Sequence, residues 1–399
     1  MARGTQLRPG YCFAAIMSDG TPAATARVAG GTAPRRARAR LQVLAVALWL
    51  LALGAAAPGA GAATLEKGFW GPTQVGGVSQ FPIYDDLRVT IFQLSISWAQ
   101  VAPRRPRDER DPHDPAYGWP ADVDYAISEA KKHGMKVLIM LTNAPSWANG
   151  GRTPEYAPNR PRDFGDFARA ASRRYPSVRH WMIWGEPSRS NNFKPFVQQP
   201  QNTKITAAQK RVPQRYARLL DAAYGQLKAQ RRSNLVIGGN TYVTGEIRPY
   251  AWMRAMKLRD GRPPRLDLYG HNPFSFRNPS LSNSPSDDDL VDFSDLGRFD
   301  KAIQRALGKP RKKTIKLFVS EFTIPTDVDR EFNFHVSPAT QAKWIRNAFK
   351  VARSVKNIAG LGWIHLYDEP PDPARAVSNG GLITYDGTKK PGYQAFKRG

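Results

Sequence analysis

The chain has 399 residues, of which 41% are hydrophobic and 23% charged, the balance of an ordinary globular protein and not of a disordered one. Its 59 lysines and arginines against 33 aspartates and glutamates give a formal net charge of +26. The basic residues are scattered through "PRRPRDERD", "QRRSN" and "GKPRKKTIK", with no recognition helix or aromatic RNA motif beside them. Attraction to anionic envelope polymers is therefore expected, and specific nucleic-acid binding is not.

Residues 1–63 read as a basic segment and export signal. Arginines at 35, 36, 38 and 40 precede an apolar core of roughly 13 residues, the length of a signal h-region. Ala60-Gly61-Ala62 then offers a cleavage site. The apolar stretch from Leu41 to Ala57 falls short of the ~20 residues of a membrane span, and an uncleaved N-terminal anchor is the alternative. Met17 is a second candidate start. The one cysteine, Cys12, is lost on processing, so disulfides and thiolate metal sites are excluded from the exported chain. Removal of residues 1–62, with seven arginines and one aspartate, leaves a net charge of +20. The expected location is secreted or in the cell envelope.

Residues 64–399 fit one domain, since α/β barrels commonly exceed 250 residues. From residue 68 onward, short apolar runs alternate with helix-like segments, the pattern of a parallel sheet covered by helices. The candidate strands are 68–74, 89–98, 136–145, 178–187, 235–243, 266–274, 316–324 and 358–368. The first contains glycines and a proline that lower its β propensity. Among the helices, "PADVDYAISEAKKHG" places Val123, Ala126, Ile127 and Ala130 on one face and stops at Gly134. Others are 162–175, 213–230, 296–307 and 337–355. Eight strands with interleaved helices predict a (β/α)8 TIM barrel. The long connections 99–120, 188–212 and 275–295 all follow strands, on the side where such barrels carry their sites. Within the third, "NSPSDDDLVDFSD" lacks the ligand spacing of a calcium loop and reads as a solvated acidic loop.

Two carboxylates stand out. Glu186 in "WMIWGEP" and Glu321 in "LFVSEF" each follow an apolar run directly. If those runs are the fourth and seventh strands, both side chains point into one bowl. Such a pair suits retaining glycosidic cleavage, in which an acid protonates the leaving oxygen and a carboxylate ~5–5.5 Å away attacks the anomeric carbon. No cofactor is required. No His-x-x-x-His spacing, phosphate loop or Gly-x-Ser-x-Gly elbow competes with this reading, and no metal site is expected.

These segments resemble the clan A glycoside hydrolases, retaining barrels that include family 5 cellulases and family 39-like glycosidases. The likeness runs from about residue 68 to 397 and rests on "WMIWGEP", "LFVSEF", "YGHNPF", "GWIHLYDE" and "GGLITYDGTKKPGYQAF". It implies that Glu186 is the acid/base and Glu321 the nucleophile, and that the substrate is an oligo- or polysaccharide. Two positions depart from the clan. Gly185 stands where an asparagine usually contacts the sugar 2-hydroxyl, and Gln93 stands where an arginine usually supports the nucleophile.

Trp98, Trp147, Trp184 and Trp363 lie at or beyond strand ends, where indoles stack on sugar rings, core packing being the alternative for each. His271 and Asn272 are expected to bond substrate or the nucleophile, unless His271 is a satisfied structural histidine. The rival function is a catalytically impaired carbohydrate-binding barrel of the same fold.

Overall fold

The computed structural model describes residues 65–198 and 204–399. The expected signal, its cleavage site and Cys12 lie outside the described residues. Eight strands close into an all-parallel barrel: β1 (Glu66–Trp70), β2 (Ile91–Ser97), β3 (Lys136–Thr142), β4 (His180–Ile183), β5 (Leu235–Tyr242), β6 (Leu268–Asn272), β7 (Lys316–Val319) and β8 (Ile358–Ile364). β1 pairs with β8 as well as β2, so no edge is left open. The α-helices of six or more residues among the described residues are α1 (Phe81–Asp86), α2 (Ala121–Lys132), α3 (Pro161–Arg174), α4 (Ala207–Gln230), α5 (Pro249–Ala255), α6 (Leu296–Ile303), α7 (Pro338–Ser354) and α8 (Pro391–Arg398).

The period-two pattern of the strands divides the core in two. Ile91, Leu138, Met182, Ile237, Leu268 and Phe318 fill the barrel, one from each of six strands. Their neighbours, such as Val137, Ile139 and Leu141 of β3, belong to the larger apolar layer that also takes in the helix faces. The predicted face of α2 holds, with Val123, Ala126 and Ala130 buried; Asp122 and Asp124 sit in its first turn and Lys131 and Lys132 in its last, matching the helix dipole. Gly134 takes the left-handed conformation (φ +67°) that ends it.

α4 starts well before the predicted Pro213, because Thr206 and Gln209 form a capping box there. Pro213 is carried inside the helix.

All eight predicted strands overran at their C-terminal ends, and three of these overruns bear on the site. Those expected to reach 187, 324 and 368 end at Ile183, Val319 and Ile364. The buried apolar residues continue past each end in Trp184, Phe322 and Leu366, so hydrophobicity gives no stop signal. At the first and third of these ends the backbone gives one: Trp184 (φ +63°) and Glu186 (φ +41°) after β4 and His365 (φ +77°) after β8 leave the extended region. β1 starts two residues earlier than predicted and ends four residues earlier. The acidic loop is also corrected, since Asp292 and Asp295 are buried and not solvated, with Arg277 paired to both and Arg298 to Asp295.

Candidate active site

Glu186 and Glu321 lie just beyond the C-terminal ends of β4 and β7. Glu186 is buried, at 9% exposure, and its carboxylate collects the donors of the site. Asn272, the last residue of β6, donates from Nδ2 to Oε1 at 2.8 Å. Arg189 donates from Nη1 to Oε2 at 3.0 Å, and Asn192 approaches Oε2 at 3.5 Å. The positive φ of Trp184 and Glu186 makes this convergence, turning the indole outward onto Phe164 and Phe193 while the carboxylate faces the mouth.

Glu321 is half-buried and has no hydrogen bond or ion pair among the described residues. Burial first, and then the charges of Glu186 and Glu331, push its carboxyl well above the usual carboxylate range; Arg189 opposes this. The two glutamates therefore act on each other electrostatically.

A buried polar bridge joins the two strand ends. Asn272 Oδ1 accepts from Ser320 Oγ at 2.7 Å, one residue before Glu321, while the same amide holds Glu186. Asn240, itself at φ +40°, lies 3.2 Å from Ser320 Oγ and reaches the Trp184 carbonyl. The Ser320 carbonyl accepts from Gln93 Nε2 at 2.9 Å and from Trp70 Nε1 at 3.1 Å. Gln93 thus braces the backbone of the neighbouring residue, and its Oε1 is buried without a partner. Gly68 and Gly362 make room for it, since a Cβ at either would fall within 2.8 Å of Nε2.

At Gly185 the space an amide would need is taken by Met140, whose Sδ would lie 3.0 Å from an added Cβ.

The remaining predicted residues separate. His271 is fully buried between Thr241 Oγ1 (2.8 Å) and the Val291 carbonyl (2.9 Å), and burial lowers its pKa to about 4. It is a neutral imidazole donating from Nε2 to that carbonyl, a satisfied structural group rather than a substrate ligand. Asn272 reaches Glu186. Trp98, Trp184 and Trp363 are at most 1% exposed, and other aromatic rings pack against them; the expected sugar platforms are packing residues here. Trp147 is half-buried, with Nε1 bonded to the Ala102 carbonyl and Arg105 over its ring.

Sequence reasoning missed Arg189, Ser320, Asn240 and Tyr242. The spacing of Arg189 from Glu186 on a tight turn was the readable signal, and the Arg189 amide bonds the Glu186 carbonyl at 3.0 Å. Tyr242 closes β5 beneath the Arg189 guanidinium, 4.5 Å from ring centre to Cζ.

Among solved structures, the chain is similar to a family 39 glycoside hydrolase from Bacteroides cellulosilyticus WH2, with a TM-score of 0.60 and 18% identity over 84% of this chain and 62% of that one. The chain shares its fold. A glucosidase from Croceicoccus marinus (TM-score 0.57, 12% identity, 83% of this chain and 66% of that one) has it too. So does a monomeric β-xylosidase from Caulobacter crescentus CB15 (TM-score 0.55, 17% identity, 84% and 66%). The chain spans slightly under two thirds of the length of these neighbours. No protein-family model and no curated protein matches the sequence.

Proposed function

We propose that the protein is a retaining glycoside hydrolase acting on an extracellular or cell-envelope glycan through Glu186 and Glu321. The observation that carries this reading is the pair itself: two carboxylates at the mouth of a parallel barrel, acting on each other and tied through Asn272 and Ser320. The fold of the glycoside hydrolases named above supports it. In the first step Glu321 attacks the anomeric carbon while Glu186 gives its proton to the leaving oxygen. In the second, Glu186 takes a proton from water, whose oxygen displaces Glu321 and restores the free sugar. These roles need the proton on Glu186 when the glycosidic oxygen arrives. Withdrawal of Arg189 from Oε2 is the movement that permits it.

The test is Glu321→Ala. Turnover is expected to vanish and to return in part with azide or formate, giving a product of inverted configuration. Full activity without Glu321 would overturn the assignment.

A carbohydrate-binding barrel without turnover is the second reading. It is favoured by the absence of any hydrogen-bond donor to Glu321 among the described residues. Glycan binding by the wild type with no product from any glycoside of a broad panel would establish it. Export by the N-terminal signal is part of the proposal, with cleavage near Ala62; exported protein whose N-terminus lies upstream of Leu41 would reject it.

A further inference from the structure

Arg189 is the positive charge among the groups that act on Glu321 in the described structure, the others being Glu186 and Glu331. Its side chain is 30% exposed and fixed from two sides, by Glu186 Oε2 at 3.0 Å and by the face of Tyr242. That geometry uses Nη1. Among the described residues Nε and Nη2 have no partner, although the guanidinium is planar and suited to two parallel bonds with an oxyanion. A cation held rigidly at the mouth of a cleft, with donors to spare, is a recognition element and more than a counter-charge for Glu186.

Resting on the glycosidase reading, we propose that Arg189 is a specificity-determining residue that receives an anionic substituent of the sugar, a carboxylate or a sulfate ester. An oxyanion on Nε and Nη2 competes with Glu186 for the same charge. It draws Nη1 from Oε2 and leaves Glu186 free to hold the proton that the first step requires. An uncharged sugar offers no such exchange. The basic exported chain, +20 after removal of residues 1–62, works in the same direction at long range by concentrating acidic polymers near the site.

Binding separates this idea from the question of turnover. Calorimetry on the Glu321→Gln protein, which cannot consume its ligand, would compare uronate-containing oligosaccharides, sulfated oligosaccharides, and neutral xylo- and cello-oligosaccharides of equal length. Salt of about 0.3 M screens the general surface charge. At least one acidic class is expected to bind roughly tenfold or more tighter than the neutral ones, and the class that does so identifies the group as carboxylate or sulfate. Arg189→Met should erase that ratio, and Arg189→Lys should keep part of it. Circular dichroism of both variants controls for folding. Equal binding of neutral and acidic sugars, no binding of either acidic class, or a preference that survives Arg189→Met would each overturn the proposal. Arg189-dependent binding without hydrolysis by the wild type would leave it standing and remove the glycosidase reading. Hydrolysis of neutral glycans indifferent to Arg189 would do the reverse.

Discussion

Gly185→Asn restores the amide that the clan A resemblance leads one to expect beside the acid/base, and the structure sets its cost. An added Cβ would lie 3.0 Å from Met140 Sδ and 3.2 Å from its Cε, closer than ordinary contact. The obstacle is the flexible end of a thioether, so Met140 can turn aside at ~0.5–1.5 kcal/mol of rotamer strain. Gly185 is not in the left-handed region, and replacing a glycine at such a position returns ~0.4–1 kcal/mol through the unfolded chain. The net loss of stability is then within ~1 kcal/mol, a fall in Tm of at most about 1–2 °C for a domain of this size. In return, an amide bonded to a sugar 2-hydroxyl in the transition state is worth ~1–3 kcal/mol, or roughly tenfold to hundredfold in kcat/KM.

The assay is kcat/KM on aryl β-glucosides and β-xylosides for the wild type, Gly185→Asn, Met140→Ala and the double variant. The wild type should be weak on both. Gly185→Asn should raise the glucoside rate, and Met140→Ala should raise it further in the Asn background because the clash is gone. The coupling between the two substitutions is the signature of the shared space. Ordinary rates in the wild type that the asparagine merely slows, or no gain even with Met140 truncated, would refute the reasoning and move the specificity contact to another loop.

Asn272→Ala removes the donor to Glu186 Oε1 and the acceptor of Ser320 Oγ together. A loss of ~1–3 kcal/mol in stability and at least tenfold in kcat is expected from chemical denaturation and steady-state rates. Glu321 is costly to ionise in the fold, since its pKa is raised by burial first and by Glu186 and Glu331 after it. Its folded pKa lies above the unfolded one, so the fold loses stability as pH rises through that interval. Glu321→Gln should therefore melt higher than the wild type at neutral pH, with the gap closing once pH falls below the ordinary carboxylate range; a gap independent of pH would count against it. Lys67 is the converse case. Its Nζ donates to the carbonyls of Leu87, Phe396 and Lys397, and burial, with the charges of Arg88 and Arg353, lowers its pKa to about 7. The wild type should gain stability relative to Lys67→Met as pH rises from about 7 toward 10.5, by at most ~1.4 kcal/mol per pH unit, and a flat difference in denaturation midpoints across that range would contradict this.

The barrel was legible because its signal is repeated. Each strand is a short apolar run, most are followed by a helical pattern, and an error of four residues at the end of β1 or five at the end of β7 does not change the count. The positions of Glu186 and Glu321 were legible for the same reason, as charges at the ends of two equivalent runs. What the sequence hid depends on direction. A tryptophan beyond a strand end can face a sugar or a helix, and Trp184 faces the helix because its φ is positive, which no residue preference announces. His271 and Asn272 are adjacent and looked alike as candidates. Strand alternation sends the first outward to Thr241 and Val291 and the second inward to Glu186.

The two departures from the clan belong together. An arginine in place of Gln93 would bring a charge beneath Glu321, and an asparagine in place of Gly185 would bring a donor beside the pair. Here the first position braces the Ser320 carbonyl and the second yields its space to Met140. The first replacement withdraws polar support from the strand-seven glutamate and the second a donor from the sugar, while Asn272, Arg189 and Asn192 hold the strand-four glutamate. The asymmetry of the pair is thus built into the protein. Arg189 is bonded to Glu186 and acts on Glu321 as well, so it is the member of that donor set whose charge a substrate could claim with an effect on both carboxylates.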